Sequence, residues 1–421
     1  MSQSNKEFSS GQPIVGQLLS LIPANIFSES EIATNSDKYY KKMNSKSHFI
    51  ILFYATLTKN SSLREVCKNI TLVYSRLIQF GFQYLPCRST LSDANNKRSS
   101  EYFEKIYYLL YQHYKQYLIA AHFSLMIGGE VDAKDVDSFD STTITLFKSI
   151  LKGVGRNAIN GRKKGGIKAF TKMNLAEGVP NFICFGAASK NETSFLKCLK
   201  LEKGSIAVFD KGFIKYKFFQ QMTDEGKYFV TRSKDNMKYE VLEDYILSED
   251  EKFKGITKYQ RIKVQYKDNK ISRTAELRFV QYNDYITGET LEFITNIDTY
   301  SAFTITQLYK NRWVIEVLFK QLKQNFELKY FLSDSENGIK SQIWMALILN
   351  LLFTVIHKMT QEAEDFSTMV MVAAKNMCSN VNFIKFIKDT KSFCRRFYET
   401  EIKKMQLQLF DQKYEGIFEK T

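Results

Sequence analysis

Hydrophobic periodicity changes twice along this chain, and those changes limit the folds open to it. From about residue 14 to 125, apolar residues recur at spacings of three and four, as in LREVCKNITLVYSRLIQFGF and SEYFEKIYYLLYQHYKQYLIAAHF. That spacing gathers them on one face of a helix. From about 130 the pattern alternates and becomes β-branched, so VDAKDVDSFDSTTITL predicts a strand. GGIKAFTKMNL and VPNFICFGAAS predict a hairpin around AEG. NETSFLKCLKL then predicts a helix, SIAVFDKG a short buried strand, FIKYKFFQQMTDEG a helix and KYFVTRS another strand. Strands and helices in this order make a mixed α/β sheet with helices on its faces. Residues 238–298 alternate strongly, with turn signals at DNK and TG, and predict an antiparallel β insertion. Helices return at 304–327 and 336–360, ahead of a helical tail to 421 with a basic patch around KDTKSFCRRFYETEIKK.

Charge narrows the partners. Lys plus Arg number 60 against 45 acids, a formal net charge of +15. A cytosolic enzyme of small molecules has little use for such a field, whereas a polyanion binder releases counterions at each neutralised phosphate. A merely basic soluble protein is the plainer alternative. Six cysteines (67, 87, 184, 198, 378 and 394) show no CxxC or CxxH spacing, and four histidines are dispersed, which argues against a zinc site. They are expected to be reduced and mostly buried. MSQSNKEFSSGQPIV has no charged region followed by an apolar one, so no signal peptide is expected there. MALILNLLFTVI at 345–356 is too short to span a bilayer and predicts a buried core helix.

Two places carry candidate chemistry on helices. In LPCRSTLSDANNKRSS, Ser89 or Thr90 could cap a short helix displaying Ser92, Asn95, Lys97 and Arg98. A short polar, basic helix between longer ones suits DNA reading, and equally suits a plain solvated helix. In YKNRWVIEVLFKQLKQ (309–324), at about 100° per residue, Tyr309, Arg312, Glu316, Lys320 and Lys323 fall within an arc of about 80°. Ile315, Leu318, Phe319, Leu322 and Phe326 fall within about 100° beside it. Lys310, Gln321 and Asn325 form the outer face. A surface ladder of Arg312, Glu316 and Lys320 would explain the polar stripe alone. It would not explain two carboxylates that sit at predicted strand ends, Asp140 in SFDSTT and Asp210 in AVFDKG. Ligands of open α/β sheets bind beyond strand ends. Asp132, Asp135 and Asp137 compete with Asp140 for the first role, Asp137 pointing to the opposite face of the strand. Three carboxylates can hold two Mg²⁺ ions for a phosphodiester displacement, with arginine and lysine gripping the phosphates.

Here the sequence resembles a known family. Tyr309-x2-Arg312-x3-Glu316-x6-Lys323 is similar to the Y-R-E-K signature of DDE transposases of the insertion-sequence-four group. FDSTT resembles that family's first-aspartate strand, GGIK (165–168) the strand after it, and VFDKGF (208–213) the second-aspartate strand. YFVTR (228–232) and FITN (293–296) follow in the family's order, so the resemblance spans about 130–360.

The resemblance implies an α/β ribonuclease-H-like catalytic core interrupted by an antiparallel β insertion, with a helical N-terminal domain and a helical C-terminal tail. The segments are then 1–125 for DNA binding, 126–236 and 301–365 for the core, 237–300 for the insertion and 366–421 for the basic tail. It selects Asp140, Asp210 and Glu316 as catalytic and metal-binding residues, with two Mg²⁺ ions and Mn²⁺ able to substitute. It implies phosphate contacts from Tyr309, Arg312 and Lys323, with Lys320 beside them. Lys211, Lys168, Arg88, Asn95 and Arg98 complete the expected DNA-binding set. Lys211 departs from the usual arginine, keeping the charge but losing the fork. The expected partners are double-stranded DNA, as terminal inverted repeats and target, and a second copy in a synaptic homodimer. The expected location is cytoplasmic and nucleoid-associated, with no membrane. A nuclease on the same core, or an inactive DNA-binding protein, are the alternatives.

Overall fold

The computed structural model describes residues 11–40, 42–120, 126–145, 166–326, 328, 330–396, 398–399 and 402. The end of the expected tail lies outside them. The chain opens with helices α1 (Ile14–Ser20), α2 (Ala24–Thr34), α3 (Ser45–Leu57), α4 (Leu63–Leu77), α5 (Arg88–Lys97) and α6 (Glu101–Ala120). Side-chain caps fix two of their starts: Asn44 accepts from the Ser47 N–H and Ser62 from that of Glu65. Neither Ser89 nor Thr90 caps α5, as the sequence suggested. Cys87 is its N-cap residue, without a side-chain capping bond, and both hydroxyls sit within hydrogen-bond range of the Cys87 sulfur.

A small pair, β1 (Met126–Ile127) and β2 (Val131–Asp132), leads into the main sheet. Its strands are β3 (Val136–Thr145), β4 (Gly166–Asn174), β5 (Pro180–Ala187), β6 (Ile206–Phe209), β7 (Tyr228–Arg232), β8 (Tyr239–Asp244), β9 (Ile256–Asp268), β10 (Ile271–Asn283) and β11 (Thr290–Thr295). Their order is β5-β4-β3-β6-β7-β11-β10-β9-β8. β6 runs parallel to β3 and to β7; the other pairs are antiparallel. The hairpin expected around AEG is β4–β5, and the DNK turn joins β9 to β10, with Asn269 and Lys270 at positive φ.

The β-rich segment is therefore no separate body. Backbone pairing of Phe293 with Arg232 and Thr295 with Val230 joins β11 to β7, so one sheet runs through core and insertion alike. NETSFLKCLKL forms a 3₁₀ segment, Glu192–Cys198, rather than a full helix. Helix α7 (Tyr216–Asp224) forms as expected, and a short α8 (Glu249–Phe253), closed by a Ser248–Glu251 capping box, interrupts the strands. One sheet face packs Phe139, Phe209 and Phe229 under Phe219 of α7; the other packs Val208, Val230 and Phe293 under α9 (Ala302–Asn311).

The helix expected over 304–327 is two, α9 and α10 (Trp313–Asn325), meeting at Arg312. Asn311 donates its side-chain amide to the Gln307 carbonyl at 2.8 Å, the acceptor its own N–H would use in a regular helix. The joint is tightened by i→i−3 bonds from Arg312 N to Tyr309 O and Ile315 N to Arg312 O. Ile315, Leu318, Phe319, Leu322 and Phe326 are buried as predicted, but Asn325 is buried too and bonds Ser367.

Helix α11 (Glu336–Met359) is the core helix foreseen at MALILNLLFTVI; nearly every residue of its most apolar stretch is buried within the protein. It packs on α3, α5 and α6 and on α12 (Phe366–Lys375), and α13 (Phe383–Lys388) closes the same side. One continuous core joins these helices to α1–α6 and α10, so the described helices before residue 121 share their core with α10 and α11. The cysteines also depart from expectation: Cys67 and Cys184 are half-buried and the other four exposed.

Candidate active site

The parallel register sets the site. Val136 pairs with Ile206 and Phe139 with Phe209, and Phe209 pairs with Thr231. The next residue on each strand is Asp140, Asp210 and Arg232, side by side at the end of the parallel pairing. Asp140 is not at the end of its strand, as its sequence suggested. β3 continues to Thr145 because β4 still pairs with it there. Asp210 does end β6 and caps the Lys211–Phe213 turn, accepting from the Gly212 N–H at 3.1 Å. Asp140 accepts from the Ser141 N–H at 2.7 Å. Asp137 lies on the other face and pairs with Lys172.

Helix α10 lies against β3 and brings the third carboxylate. One guanidinium joins the two elements. Arg312 donates to Asp140 at 3.0 Å and to Glu316 at 2.5 Å, and its side chain is 12% exposed. It lies 5.3 Å from the Tyr309 ring centroid, and that ring leans on Phe293. Burial works against the Arg312 charge, but Tyr309, Asp140 and Glu316 hold its pKa above the ordinary value. Burial pushes the Asp140 carboxyl up to about 6; Arg312 and the Ser141 N–H pull the other way, while Asp210 and Glu316 raise it further. Burial also raises the Tyr309 hydroxyl and lowers the Lys323 ammonium, the latter partly offset by Asp140.

The expected phosphate ligands divide. Lys320 is exposed on α10, Lys323 is exposed as a residue while its neighbours partly desolvate its ammonium, and Lys211 is exposed beside Asp210 with a long 3.8 Å contact to Asp235. Lys168 is buried and already engaged, donating to Glu192 at 2.7 Å and to the Lys190 carbonyl at 2.9 Å. Asn95 and Arg98 do not face solvent. Asn95 bonds His48 at 2.7 Å and the Leu332 carbonyl, and Arg98 donates to the Met43 carbonyl and lies over Tyr40. They tie α5 into the core, which removes them from the DNA-reading set; Arg88 alone of those three is exposed. Two residues escaped the sequence reading. Arg232 lies in register beside Asp210, and Glu192 reaches Ser141 Oγ at 3.4 Å. YFVTR did carry a signal for the first; nothing in NETSF signalled the second.

Among the described residues, no group of three or more His, Cys, Asp or Glu stands arranged as a ready cation cage. Arg312 holds the space between Asp140 and Glu316.

Carboxylates and basic side chains gathered at parallel strand ends suit an enzyme acting on a phosphate polymer. The chain belongs to the DDE transposase family: the Transposase DDE domain matches residues 133–352. A Domain of unknown function (DUF4372) matches residues 10–83. A Sinorhizobium fredii protein named as transposase y4zB is 26% identical over 298 residues, covering 68% of this chain and 77% of that protein. A Synechocystis protein named as the transposase for insertion sequence element IS4SA is 24% identical over 309 residues, covering 72% and 81%. Among solved structures, the piggyBac transposase synaptic complex with hairpin DNA is similar over 90% of this chain and 84% of that one, at 10% identity and a TM-score of 0.40. The chain is thus a transposase, an enzyme that cleaves and transfers DNA, of a family that uses divalent metal.

Proposed function

We propose that this transposase belongs to the insertion-sequence-four group and acts through Asp140, Asp210 and Glu316 on a ribonuclease-H-like core. The observation that carries this reading is the Arg312 bridge, which unites Asp140 with a helix 172 residues away and with Glu316. The β5-β4-β3-β6-β7 half of the sheet supports the core assignment, because its antiparallel hairpin flanks a parallel centre.

The donor set fits the expected Mg²⁺ pair. All three groups are hard carboxylate oxygens, and burial, joined by weaker repulsion from Asp210 and Glu316, raises Asp140 to about 6 against the pull of Arg312 and the Ser141 N–H, so its charged form would gain from a bound cation. Asp140, Asp210 and Glu316 would hold the ions, which supply Lewis-acid polarisation and an activated water or hydroxyl. The remaining chemistry belongs to the chain. Arg312 must release a carboxylate to admit a cation, and its freed fork is then available to a phosphate oxygen. Tyr309 holds the guanidinium through its ring face, and Lys323 and Arg232 add charge beside the carboxylates. The substrate is double-stranded DNA at the ends of the insertion sequence. Two copies act together, since two ends must meet, in the bacterial cytoplasm at the nucleoid.

Asp210→Asn and Glu316→Gln test this on a duplex carrying the terminal repeat. Strand cleavage in Mg²⁺ should fall at least about 10³-fold while duplex affinity stays within a few-fold. Mg²⁺ should raise the melting temperature of the wild type and not of the variants. Retained cleavage in either variant would sink the assignment. Products joined to target DNA separate transposition from simple nuclease action.

A further inference from the structure

Beyond the carboxylates, α7 and the β9–β10 hairpin tip bound a cleft of about 710 Å³ with the segment 196–201. Its floor is apolar and aromatic, with Leu199, Met222 and the rings of Tyr216 and Tyr266 6.2 Å apart. Its rim is basic. Lys217 is neutralised by Asp268 at 2.7 Å and Lys227 by Glu225. Asp268 also takes Arg273 at 3.5 Å, so the acids at this cleft are already engaged. Lys197, Lys215 and Lys267 are exposed on the rim and have no ion-pair partner among the described residues.

Three unpaired ammonium groups around one concavity repel each other and gain nothing for the fold. They gain when a polyanion arrives, because each neutralised phosphate releases condensed counterions. The cleft is also placed for it. Lys215 follows Asp210 by one short turn and is the N-cap residue of α7, and Lys211 and Lys234 line a shallower cleft of about 570 Å³ beside the same strand ends. Basic groups thus continue from the carboxylates to the hairpin tip.

We propose that this cleft is a second DNA-backbone site, in which Lys197, Lys215 and Lys267 each contact a phosphate of duplex flanking the reacting end. This rests on the reading of the chain as an enzyme of duplex DNA. The phosphates belong either to the insertion-sequence end or to target DNA, and the experiment separates the two.

The full chain and a variant carrying Lys197→Gln, Lys215→Gln and Lys267→Gln are titrated by fluorescence anisotropy across a salt series. One probe is a duplex of the terminal repeat and the other a random-sequence duplex of equal length. Each lost phosphate contact lowers the slope of log affinity against log salt by about 0.9, so the variant should lose about 2.7. Across a fourfold rise in salt, wild-type affinity then falls about 40-fold further than that of the variant. A change confined to the terminal-repeat duplex assigns the site to the end; a change on the random duplex assigns it to target DNA. An unchanged slope on both probes overturns the proposal. If the triple variant unfolds, Lys215→Gln alone carries the test, with an expected loss of about 0.9. Absent Mg²⁺-dependent cleavage by the wild type would count against the carboxylate assignment and leave this slope measurement standing.

Discussion

Asp140→Asn should remove strand cleavage and yet make the folded protein more stable at neutral pH. The Asp140 side chain is 18% exposed, and burial, the largest cause, holds its carboxyl at about 6 against an ordinary 3.8. The folded state therefore binds this proton more tightly than the unfolded chain does. The stability that proton supplies is complete below about pH 4 and is lost as the pH rises through about 6. At about 1.4 kcal/mol per pH unit across that window, ionised Asp140 costs the fold about 3 kcal/mol at neutral pH. Asparagine keeps an oxygen for the Ser141 N–H and for Arg312, but gives up the charge attraction to the guanidinium. A net gain of about 1–3 kcal/mol is expected.

Urea unfolding in chelating buffer, at about pH 7 and about pH 4.5, measures it, because groups that titrate identically in both proteins cancel in the difference. The variant should lead at the higher pH, and its lead should shrink at the lower one. A variant less stable than wild type at neutral pH, or a lead that does not shrink, would refute the argument that burial destabilises this carboxylate.

Removing residues 1–125 should leave an insoluble or unfolded fragment rather than a soluble core lacking end specificity. Tyr107, Leu110 and Phe103 on α6 are fully or nearly buried in the core shared with α11, and each large side chain stripped from such a core costs about 3–5 kcal/mol. Circular dichroism and gel filtration check this; a folded fragment that still cleaves non-specifically would show that the shared core is dispensable. Asn95→Ala should lower stability by about 1–3 kcal/mol by leaving His48 and the Leu332 carbonyl without this partner. Its duplex affinity should match wild type in anisotropy titrations below the melting range. A loss of sequence-specific affinity at unchanged stability would return Asn95 to the DNA-reading set.

What the sequence disclosed depended on how many residues carried each signal. Helix α11 and the alternation of β9 and β10 repeat their apolar positions over many residues, so burial is averaged into the pattern and can be read. The placement of Asp210 was similarly legible, because an apolar strand stops abruptly at Asp-Lys-Gly. Single polar partnerships leave no such trace. Asn95 bonds residues 47 and 237 positions away, Arg98 a carbonyl 55 away, and Lys168 a carboxylate 24 away. Each side chain is as polar as a solvated one, and only its tertiary partner decides that it turns inward. The same holds for β11, whose alternation announced a strand but could not announce its pairing with β7.

Arg312 shows both limits at once. Its i,i+4 spacing to Glu316 is identical in a surface ladder and in a catalytic pair. Helical geometry alone therefore left the polar stripe of YKNRWVIEVLFKQLKQ ambiguous. The joint between α9 and α10 falls at this residue, and β3 supplies Asp140 as a second acceptor. A ladder on the surface would be screened and worth little. An arginine 12% exposed, gripping carboxylates from a strand and a helix, fixes α10 against the sheet, so the same contact that serves the fold also sets the spacing of the site.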